Sequence, residues 1–222
     1  MSVALSSRPE SKSDASPTVL IIDDDPDVRS SVGRLLRSVG VDARLFASVP
    51  EFLKSSRPNG PSCLVLDVRL PGQSGLDFQR ELATSNIKLP IIFITGHGDI
   101  PMSVQAMKGG AIEFLAKPFR EQDLLEAIRL GLDRDRVRRK TEEALLALRE
   151  RFETLSPRER MIMAEVARGR MSKQIAGEIG ISETTVKVHR SNLMRKMGIR
   201  SLTELARVAD KLELGQEQPS SM

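Results

Sequence analysis

The stretch VLIIDDDPDVR, residues 19–29, leads a short apolar run into three consecutive carboxylates. Like charges this close repel one another, so we expect a positive group or ion to face them. Three more polar residues follow apolar runs further along: Asp67 after CLVL, Thr95 after IIFI and Lys117 after AIEFLA. Clustered carboxylates suit Mg²⁺, while a hydroxyl and an ammonium group can bind the oxygens of a phosphoryl group.

Short apolar runs alternate, along the first half of the chain, with stretches of helical periodicity. This alternation predicts an α/β fold in which helices cover both faces of a parallel sheet. In such a sheet, ligands bind at the carboxyl ends of the strands. Each polar residue named in the preceding paragraph follows a strand end, so we expect these residues on one rim of the sheet. The strand candidates are VLII (19–22), ARLF (43–46), CLVL (63–66), IIFI (91–94) and AIEFLA (111–116).

Each of these polar residues also has an interpretation without chemistry. A lone aspartate after a strand is usually a turn or helix-capping residue, and Lys-Pro alone is a loop. The agreement of four strand ends favours a shared site over coincidence. Cys63, which begins an apolar run, is interpreted as a small core residue. His97 is interpreted as a loop residue, because no carboxylate or metal partner is specified beside it.

Length and composition predict two domains in a soluble cytoplasmic protein. The 222 residues exceed one typical small domain, and a single cysteine excludes a disulfide framework. No apolar run has the length of a membrane span, and the N-terminus lacks the apolar core of a signal peptide. Residues 1–131 carry 15 basic against 16 acidic side chains (net −1), whereas residues 132–222 carry 19 against 14 (net +5). This asymmetry suggests an anionic partner for the second half, although a solvated surface explains charge alone equally well.

The first half, over roughly residues 18–131, resembles the receiver domain of bacterial two-component response regulators. The resemblance implies that Asp67 takes a phosphoryl group as an acyl phosphate, with Mg²⁺ as cofactor. It also implies that the peptide between Lys117 and Pro118 is cis, as is common in receivers. The implied metal ligands are Asp23, Asp24, Asp67 and the backbone carbonyl of Arg69; the implied switch residues, which sense the phosphoryl group, are Thr95, Phe114 and Lys117.

Two neighbours of these residues have predicted roles of their own. Pro26 is placed to begin a helix, so Asp25 is expected to cap that helix rather than hold metal. Gly96 leaves room beside Thr95 for a phosphodonor, although a small residue there also suits a turn.

The segment after Gly131 is rich in charge and in helix-forming residues, which predicts a linker helix. Its narrow apolar seam could pack on either domain or on a second copy of the chain. The basic cluster at 134–140 is interpreted as a solvated face rather than a DNA contact. The seam consists of Leu145, Leu148, Phe152 and Leu155.

The last segment predicts four helices from their start and stop signals. Ser156, Pro157 and Glu159 form a capping-box pattern, and Gly169 ends that helix. The second helix spans 172–179, the third starts at Ser182 and runs to 197, and the fourth opens at residue 201. Two short helices joined by a glycine turn, the second longer and basic, are typical of a helix-turn-helix.

At 100° per residue the third helix divides into two faces. Val186, Leu193 and Met197 share a face expected to pack. Polar side chains on the opposite face can hydrogen-bond bases or phosphates, and an exposed valine can contact a thymine methyl. Arg190 lies near the apolar side and is expected to reach a phosphate or an acidic neighbour. The predicted DNA-binding residues are Thr184, Lys187, Val188, Ser191 and Arg195.

The motifs LSPRER, SKQIAGEIGIS, TVKVHRSNLMRKMG and RSLTEL resemble the LuxR-type helix-turn-helix domain. With the receiver in front, the chain is identified as a member of the NarL/LuxR response regulators, nearest the FixJ-like branch by its stretch TGHGDIPMSVQAMKGGAIEFLAKPF. The resemblance implies a transcription regulator that is phosphorylated by a sensor histidine kinase, dimerises, and binds a duplex DNA operator and RNA polymerase. It implies no enzyme activity beyond self-phosphorylation and slow autodephosphorylation.

The expected architecture is a five-stranded flavodoxin-like receiver, a long linker helix and an all-α four-helix domain. Two alternatives stay open: a Mg²⁺-dependent phosphatase built on the aspartate cluster, and a module that acts through protein contacts only. RNA binding is disfavoured because the chain has no Trp or Tyr for base stacking. The predicted boundaries are a disordered tail at 1–17, the receiver at 18–131, the linker at 132–154, the DNA-binding domain at 155–214 and a second disordered tail at 215–222.

Overall fold

The computed structural model describes residues 15–212. They form two compact units that divide between Lys140 and Thr141, and each unit is described by itself. The predicted tail at 215–222 and residues 1–14 of the predicted tail at 1–17 lie outside the described residues, as do 213 and 214. No helix in the described part of the chain is long and apolar enough to cross a membrane.

The first unit is built on a five-stranded parallel sheet of order β2-β1-β3-β6-β7. A short antiparallel hairpin, formed by β4 and β5 with two residues in each strand, follows β3 and was not predicted. The strands are β1 Thr18–Ile22, β2 Asp42–Phe46, β3 Ser62–Asp67, β4 Arg69–Leu70, β5 Gln73–Ser74, β6 Ile91–Thr95 and β7 Glu113–Ala116. The helices are α1 Pro26–Ser38, α2 Val49–Lys54, α3 Gly75–Thr84, α4 Ile100–Lys108 and α5 Glu121–Glu153.

Burial explains why the central strands read as continuous apolar runs. Every residue of β1, β3 and β6 is buried, because helices cover both faces of the sheet. Successive residues of these strands point to opposite faces of the sheet and pack in two separate cores. Leu20 and Leu64 lie in one core, and Val19 and Cys63 lie in the other. The predicted α/β fold with a parallel sheet is confirmed, and Cys63 is a buried core residue as expected.

The predicted linker is not a separate helix, because α5 continues from Glu121 through residue 153. Gly131 lies inside this helix, where an added Cβ would come within 3.0 Å of Cys63 Cβ. The absence of a side chain therefore allows α5 to pack closely on β3.

The interpretation of residues 134–140 as a solvated face is wrong for two of its arginines. Asp135 is fully buried and accepts a hydrogen bond from the backbone N–H of Ser62 at 2.8 Å. Arg138 and Arg139 both pair with its carboxylate, at 2.6 and 2.7 Å. Arg139 also donates to the backbone carbonyl of Asn59, so the basic cluster fastens α5 to the loop before β3.

Up to residue 212, the second unit contains four further helices: α6 Pro157–Ala167, α7 Ser172–Ile179, α8 Glu183–Met197 and α9 Leu202–Lys211. The predicted capping box is present at α6, and Ser182 and Ser201 cap α8 and α9. Gly180 and Gly198 end α7 and α8 with φ values of +68° and +69°, a conformation that favours glycine.

One apolar core holds the helices of the second unit together. Val186, Leu193 and Met197 are buried in it, which confirms the packed face predicted for α8. Leu148 and Phe152 of α5 pack against this core and Leu155 is buried in it, so three of the four seam residues belong to the helical unit.

Candidate functional site

The acidic cluster forms at the carboxyl ends of β1 and β3. Asp23 and Asp24 follow β1, Asp67 ends the neighbouring β3, and one carboxylate oxygen from each lies within 4.8 Å of the others. Asp23 and Asp67 are buried, whereas Asp24 is exposed. The parallel pairing of β1 with β3 aligns Ile22 with Leu66, and this register brings the next residues of both strands to one rim.

Lys117 is the positive group that faces these carboxylates. Its Nζ donates to Oδ2 of Asp23 at 2.6 Å and to Oδ2 of Asp67 at 2.7 Å. Burial raises the pKa of Asp23 above its usual value, and the hydrogen bond from Lys117 only partly offsets this. Burial would lower the pKa of Lys117, but its hydrogen bonds to Asp23 and Asp67 outweigh burial and raise it.

Asp25 does not belong to the cluster. Its Oδ1 accepts hydrogen bonds from the backbone N–H groups of Asp27 at 2.8 Å and Val28 at 3.3 Å. It is therefore the N-cap of α1, with Pro26 at the first helical position, as predicted.

The donor set fits a magnesium ion. Three carboxylates, one of them exposed, lie close together. Mg²⁺ is usually held by one or two carboxylates and phosphate oxygens while it keeps several waters, so this cluster offers enough ligands. One ammonium against three carboxylates also leaves an excess of negative charge. The backbone N–H of Arg69 donates to Oδ1 of Asp67 at 2.9 Å, which places this residue beside the cluster. The role of its carbonyl as a ligand stays a prediction.

Thr95 lies on β6, the strand beside Asp67, and Phe114 lies on β7, the next strand of the sheet. Thr95 is fully buried at the end of β6, and its Oγ1 accepts from the backbone N–H of His97 at 3.3 Å. The Phe114 ring on β7 is half-buried and lies 6.3 Å from the Phe93 ring, centroid to centroid. The peptide between Lys117 and Pro118 is cis, as expected.

In the loop between β6 and α4, Gly98 is the glycine that leaves no room for a side chain. A Cβ added at Gly98 would lie 2.8 Å from Cε1 of Phe114 and 2.9 Å from Cγ2 of Thr95. A Cβ at Gly96 would meet nothing within 4 Å, which agrees with the predicted space beside Thr95.

The exposed face of α8 carries every residue predicted to bind DNA. All five are solvent-exposed, and Val188 exposes 55% of its surface on a helix whose opposite face is buried. Lys187 pairs with Glu183 one turn earlier at 2.8 Å, so this lysine is not a free cation. The residues of this face are Thr184, Lys187, Val188, Ser191 and Arg195.

Arg190 does not meet the acidic neighbour that was one of its two predicted partners, and its contact with a phosphate stays a prediction. Instead of an acidic neighbour it meets a hydroxyl, with Nη1 donating to Oγ of Ser172 at 2.8 Å. Ser172 is buried at the start of α7, so this bond joins the two helices of the helix-turn-helix.

Comparison with known proteins identifies both units. Residues 19–129 match the family described as response regulator receiver domain, and residues 153–209 match bacterial regulatory proteins of the luxR family. The chain is 54% identical over 194 residues to nodulation protein W of Bradyrhizobium diazoefficiens, covering 87% of this chain and 86% of that protein. This chain belongs to the NarL/LuxR family of response regulators.

Two solved structures agree with this assignment. Response regulator StyR is 49% identical with a TM-score of 0.78, over 89% of this response regulator and 100% of that chain. Full-length FixJ from B. japonicum is 37% identical with a TM-score of 0.52, over 89% and 97% of the two chains. The response regulator therefore joins a receiver domain to a LuxR-type DNA-binding domain, and its relatives are transcriptional regulators. The phosphatase alternative finds no support in these matches.

Sequence reasoning missed two residues beside the site and one at the opposite end of β3, where Asp135 accepts a hydrogen bond from Ser62. Arg29, Gly98 and Asp135 gave only weak signals: a basic residue in the first turns of a helix, the second glycine of TGHGD and one aspartate in a charged run. Their importance depends on contacts made across loops and elements, which spacing along the chain does not reveal.

Proposed function

We propose that this response regulator takes a phosphoryl group on Asp67 from a sensor histidine kinase and then binds a duplex DNA operator through α8. The observation that carries the proposal is the double contact of Lys117 with Asp67 and Asp23 at the rim of the sheet. The proposed boundaries are receiver 18–131, linker 132–154 and DNA-binding domain 155–214.

The acceptor chemistry follows from the charges around Asp67. A carboxylate oxygen of Asp67 bonds to phosphorus while the bond from phosphorus to the histidine nitrogen of the kinase breaks. The leaving imidazole keeps that electron pair and is protonated. Lys117 neutralises charge beside the acceptor. Mg²⁺, held by Asp23, Asp24, Asp67 and the carbonyl of Arg69, would supply charge stabilisation on the transferring phosphoryl oxygens.

Phosphorylation then changes the partners available to the neighbouring residues. The added oxygens offer new acceptors to Lys117 and to the hydroxyl of Thr95, and Phe114 follows the movement of Thr95. We place the resulting dimerisation face on α4 and β7. Exposed apolar side chains on α4 support this location, with Ile100 exposing 79% of its surface.

Dimerisation doubles the DNA contacts, and in each copy the exposed face of α8 reads the operator. Hydroxyl and cationic side chains contact bases or phosphates, and Val188 contacts a thymine methyl. We propose that the dimer acts in the cytoplasm, engages RNA polymerase and performs no catalysis apart from self-phosphorylation and slow loss of its own phosphoryl group.

Mass spectrometry of the full chain treated with acetyl phosphate and Mg²⁺ tests the acceptor. The wild type should gain the mass of one phosphoryl group, and Asp67→Asn should gain none. Asp25→Asn is the matched control, since Asp25 caps α1 and should leave labelling intact. Labelling of Asp67→Asn at the wild-type level would contradict the proposal.

A further inference from the structure

The side chain of Arg29 reaches back from α1 to the acidic cluster. Its Nη1 donates to the backbone carbonyl oxygen of Asp23 at 2.6 Å, while its own backbone N–H bonds the carbonyl of Asp25 within the first turn. The arginine is half-buried. A cation thus lies beside a cluster of carboxylates, yet its side chain donates to a peptide oxygen and not to a carboxylate.

This contact bears on Asp24, the exposed carboxylate of the cluster. Arg29 holds the peptide before Asp24 through the carbonyl of Asp23. The peptide after Asp24 is held by the N–H of Asp25, which donates to Oδ1 of Asp23 at 2.9 Å. Within residues 15–212 no protein group bonds the Asp24 carboxylate itself. Its direction therefore depends on the two peptides that flank it.

We infer that Arg29 is a positioning residue that orients Asp24 for a divalent cation. The inference rests on the proposed function, because it takes the acidic cluster as the Mg²⁺ site. Outer groups that orient metal ligands commonly change metal affinity about 10–100-fold when they are removed. Arg29 would act in this way through a backbone carbonyl.

The charge of Arg29 predicts the opposite effect, which makes the inference easy to test. A guanidinium near the cluster repels a dication, so its removal should strengthen metal binding if charge alone matters. If Arg29 positions Asp24, its removal should weaken metal binding in spite of the lost repulsion. The sign of the change in Mg²⁺ affinity separates the two roles.

The experiment is calorimetric titration of the full chain with Mg²⁺ alone. Arg29→Met keeps the aliphatic stem but removes the donor and the charge, and Arg29→Lys keeps the charge with a single donor group. Arg34→Met is the matched control, since Arg34 is an exposed arginine of the same helix that contacts Ser31. Asp24→Ala should lose Mg²⁺ binding and Asp25→Ala should keep it, which locates the site.

We expect the dissociation constant for Mg²⁺ to rise about tenfold in Arg29→Met. It should be partly restored in Arg29→Lys and unchanged in Arg34→Met. Amide ¹⁵N relaxation without metal should show greater mobility at residues 24 and 25 in Arg29→Met. Equal or tighter binding by Arg29→Met would overturn the inference and leave the metal site intact, whereas a wild type that binds no Mg²⁺ would contradict the proposed metal site as well. If Arg29→Met does not fold, Arg29→Gln decides, because it also removes the charge and shortens the side chain. Mg²⁺ affinity equal to or tighter than that of the wild type in Arg29→Gln would overturn the inference.

Discussion

Nζ of Lys117 lies 2.7 Å from Oδ2 of Asp67 and 2.6 Å from Oδ2 of Asp23, so one ammonium group joins the ends of three strands. A phosphoryl group on Asp67 would add charge and bulk to the carboxylate that the lysine now contacts. We expect Lys117 then to change partners; Phe114 lies on β7, which directly precedes the lysine, and Thr95 ends the neighbouring β6. The site is therefore arranged so that a covalent change at Asp67 alters neighbouring contacts.

If Lys187 reads a base, Lys187→Ala should weaken operator binding by about 1–3 kcal/mol. If Lys187 contacts only phosphate, the variant should instead lower by about one unit the slope of log binding constant against log salt concentration. Lys187 forms an ion pair with Glu183 at 2.8 Å, so binding to DNA requires that this ion pair breaks or that the ammonium group contacts both partners. Fluorescence anisotropy of a labelled duplex at several salt concentrations measures both quantities. Lys211→Ala, which removes the same charge from α9, is the control. Unchanged affinity at every salt concentration would remove Lys187 from the reading face.

The ion pair of Glu159 with Lys196 should make the second unit sensitive to acid. The hydrogen bond from Lys196, at 2.7 Å, lowers the pKa of Glu159 although burial opposes the shift. A lowered folded-state pKa means that the pair stabilises fully above the unfolded pKa, near 4.5, and that this stability is lost as pH falls through the lower folded value.

Glu159→Gln isolates that pair, because glutamine can still complete the capping box with Ser156. It should cost about 1–2 kcal/mol at neutral pH. Its melting temperature should then fall less than that of the wild type between pH 5 and about pH 3. Lys196→Met should show the same flattened profile. Parallel profiles for the wild type and both variants would exclude a role for the pair.

Asp135→Asn should destabilise the receiver by about 2–4 kcal/mol, because it leaves two partly buried arginines beside a neutral group. The bond from the Ser62 N–H would weaken with it, so the start of β3 should exchange its amide hydrogens faster. Calorimetry and hydrogen exchange measure the two effects. Asp133→Asn, which breaks only exposed pairs on the same helix, should change stability by less than about 0.5 kcal/mol. Equal losses in the two variants would contradict the special role of Asp135.

Gly98→Ala should displace the Phe114 ring, since the new methyl would lie within 3.0 Å of it. Such overpacking costs about 1–3 kcal/mol. Gly96→Ala, which enters open space, is the control. If the contact with Phe114 causes the loss, Phe114→Leu should reduce the cost of Gly98→Ala in a double-mutant cycle. Additive free energies would show that the strain lies elsewhere.

The rim residues could be predicted because strand ends in a parallel sheet meet at one edge. An apolar run directly precedes each of these residues, so the pattern that predicts a strand also predicts a polar residue at its carboxyl end. They are Asp23, Asp67, Thr95 and Lys117. The cap role of Asp25 could be predicted for a similar reason, because Pro26 fixes where the helix begins.

Contacts between distant segments could not be predicted from spacing. Asp135 looks like any charged residue in a helical run, and only its position against Ser62 makes it a buried anchor. Likewise, the partner of Arg190 is a serine 18 residues earlier, which no helical periodicity indicates. The continuous helix through Gly131 was missed because glycine usually signals an end, whereas here it allows close packing on Cys63.

The central claim is that phosphorylation of Asp67 controls DNA binding. A duplex selected from random sequence with the acetyl phosphate-treated wild type provides the operator, and anisotropy measures affinity with and without acetyl phosphate. The wild type and Asp25→Asn should bind this duplex roughly tenfold or more tightly after treatment, within the usual range of coupling between sites. Asp67→Asn should bind with the untreated wild-type affinity under both conditions. Stimulation of Asp67→Asn equal to that of the wild type would contradict the account.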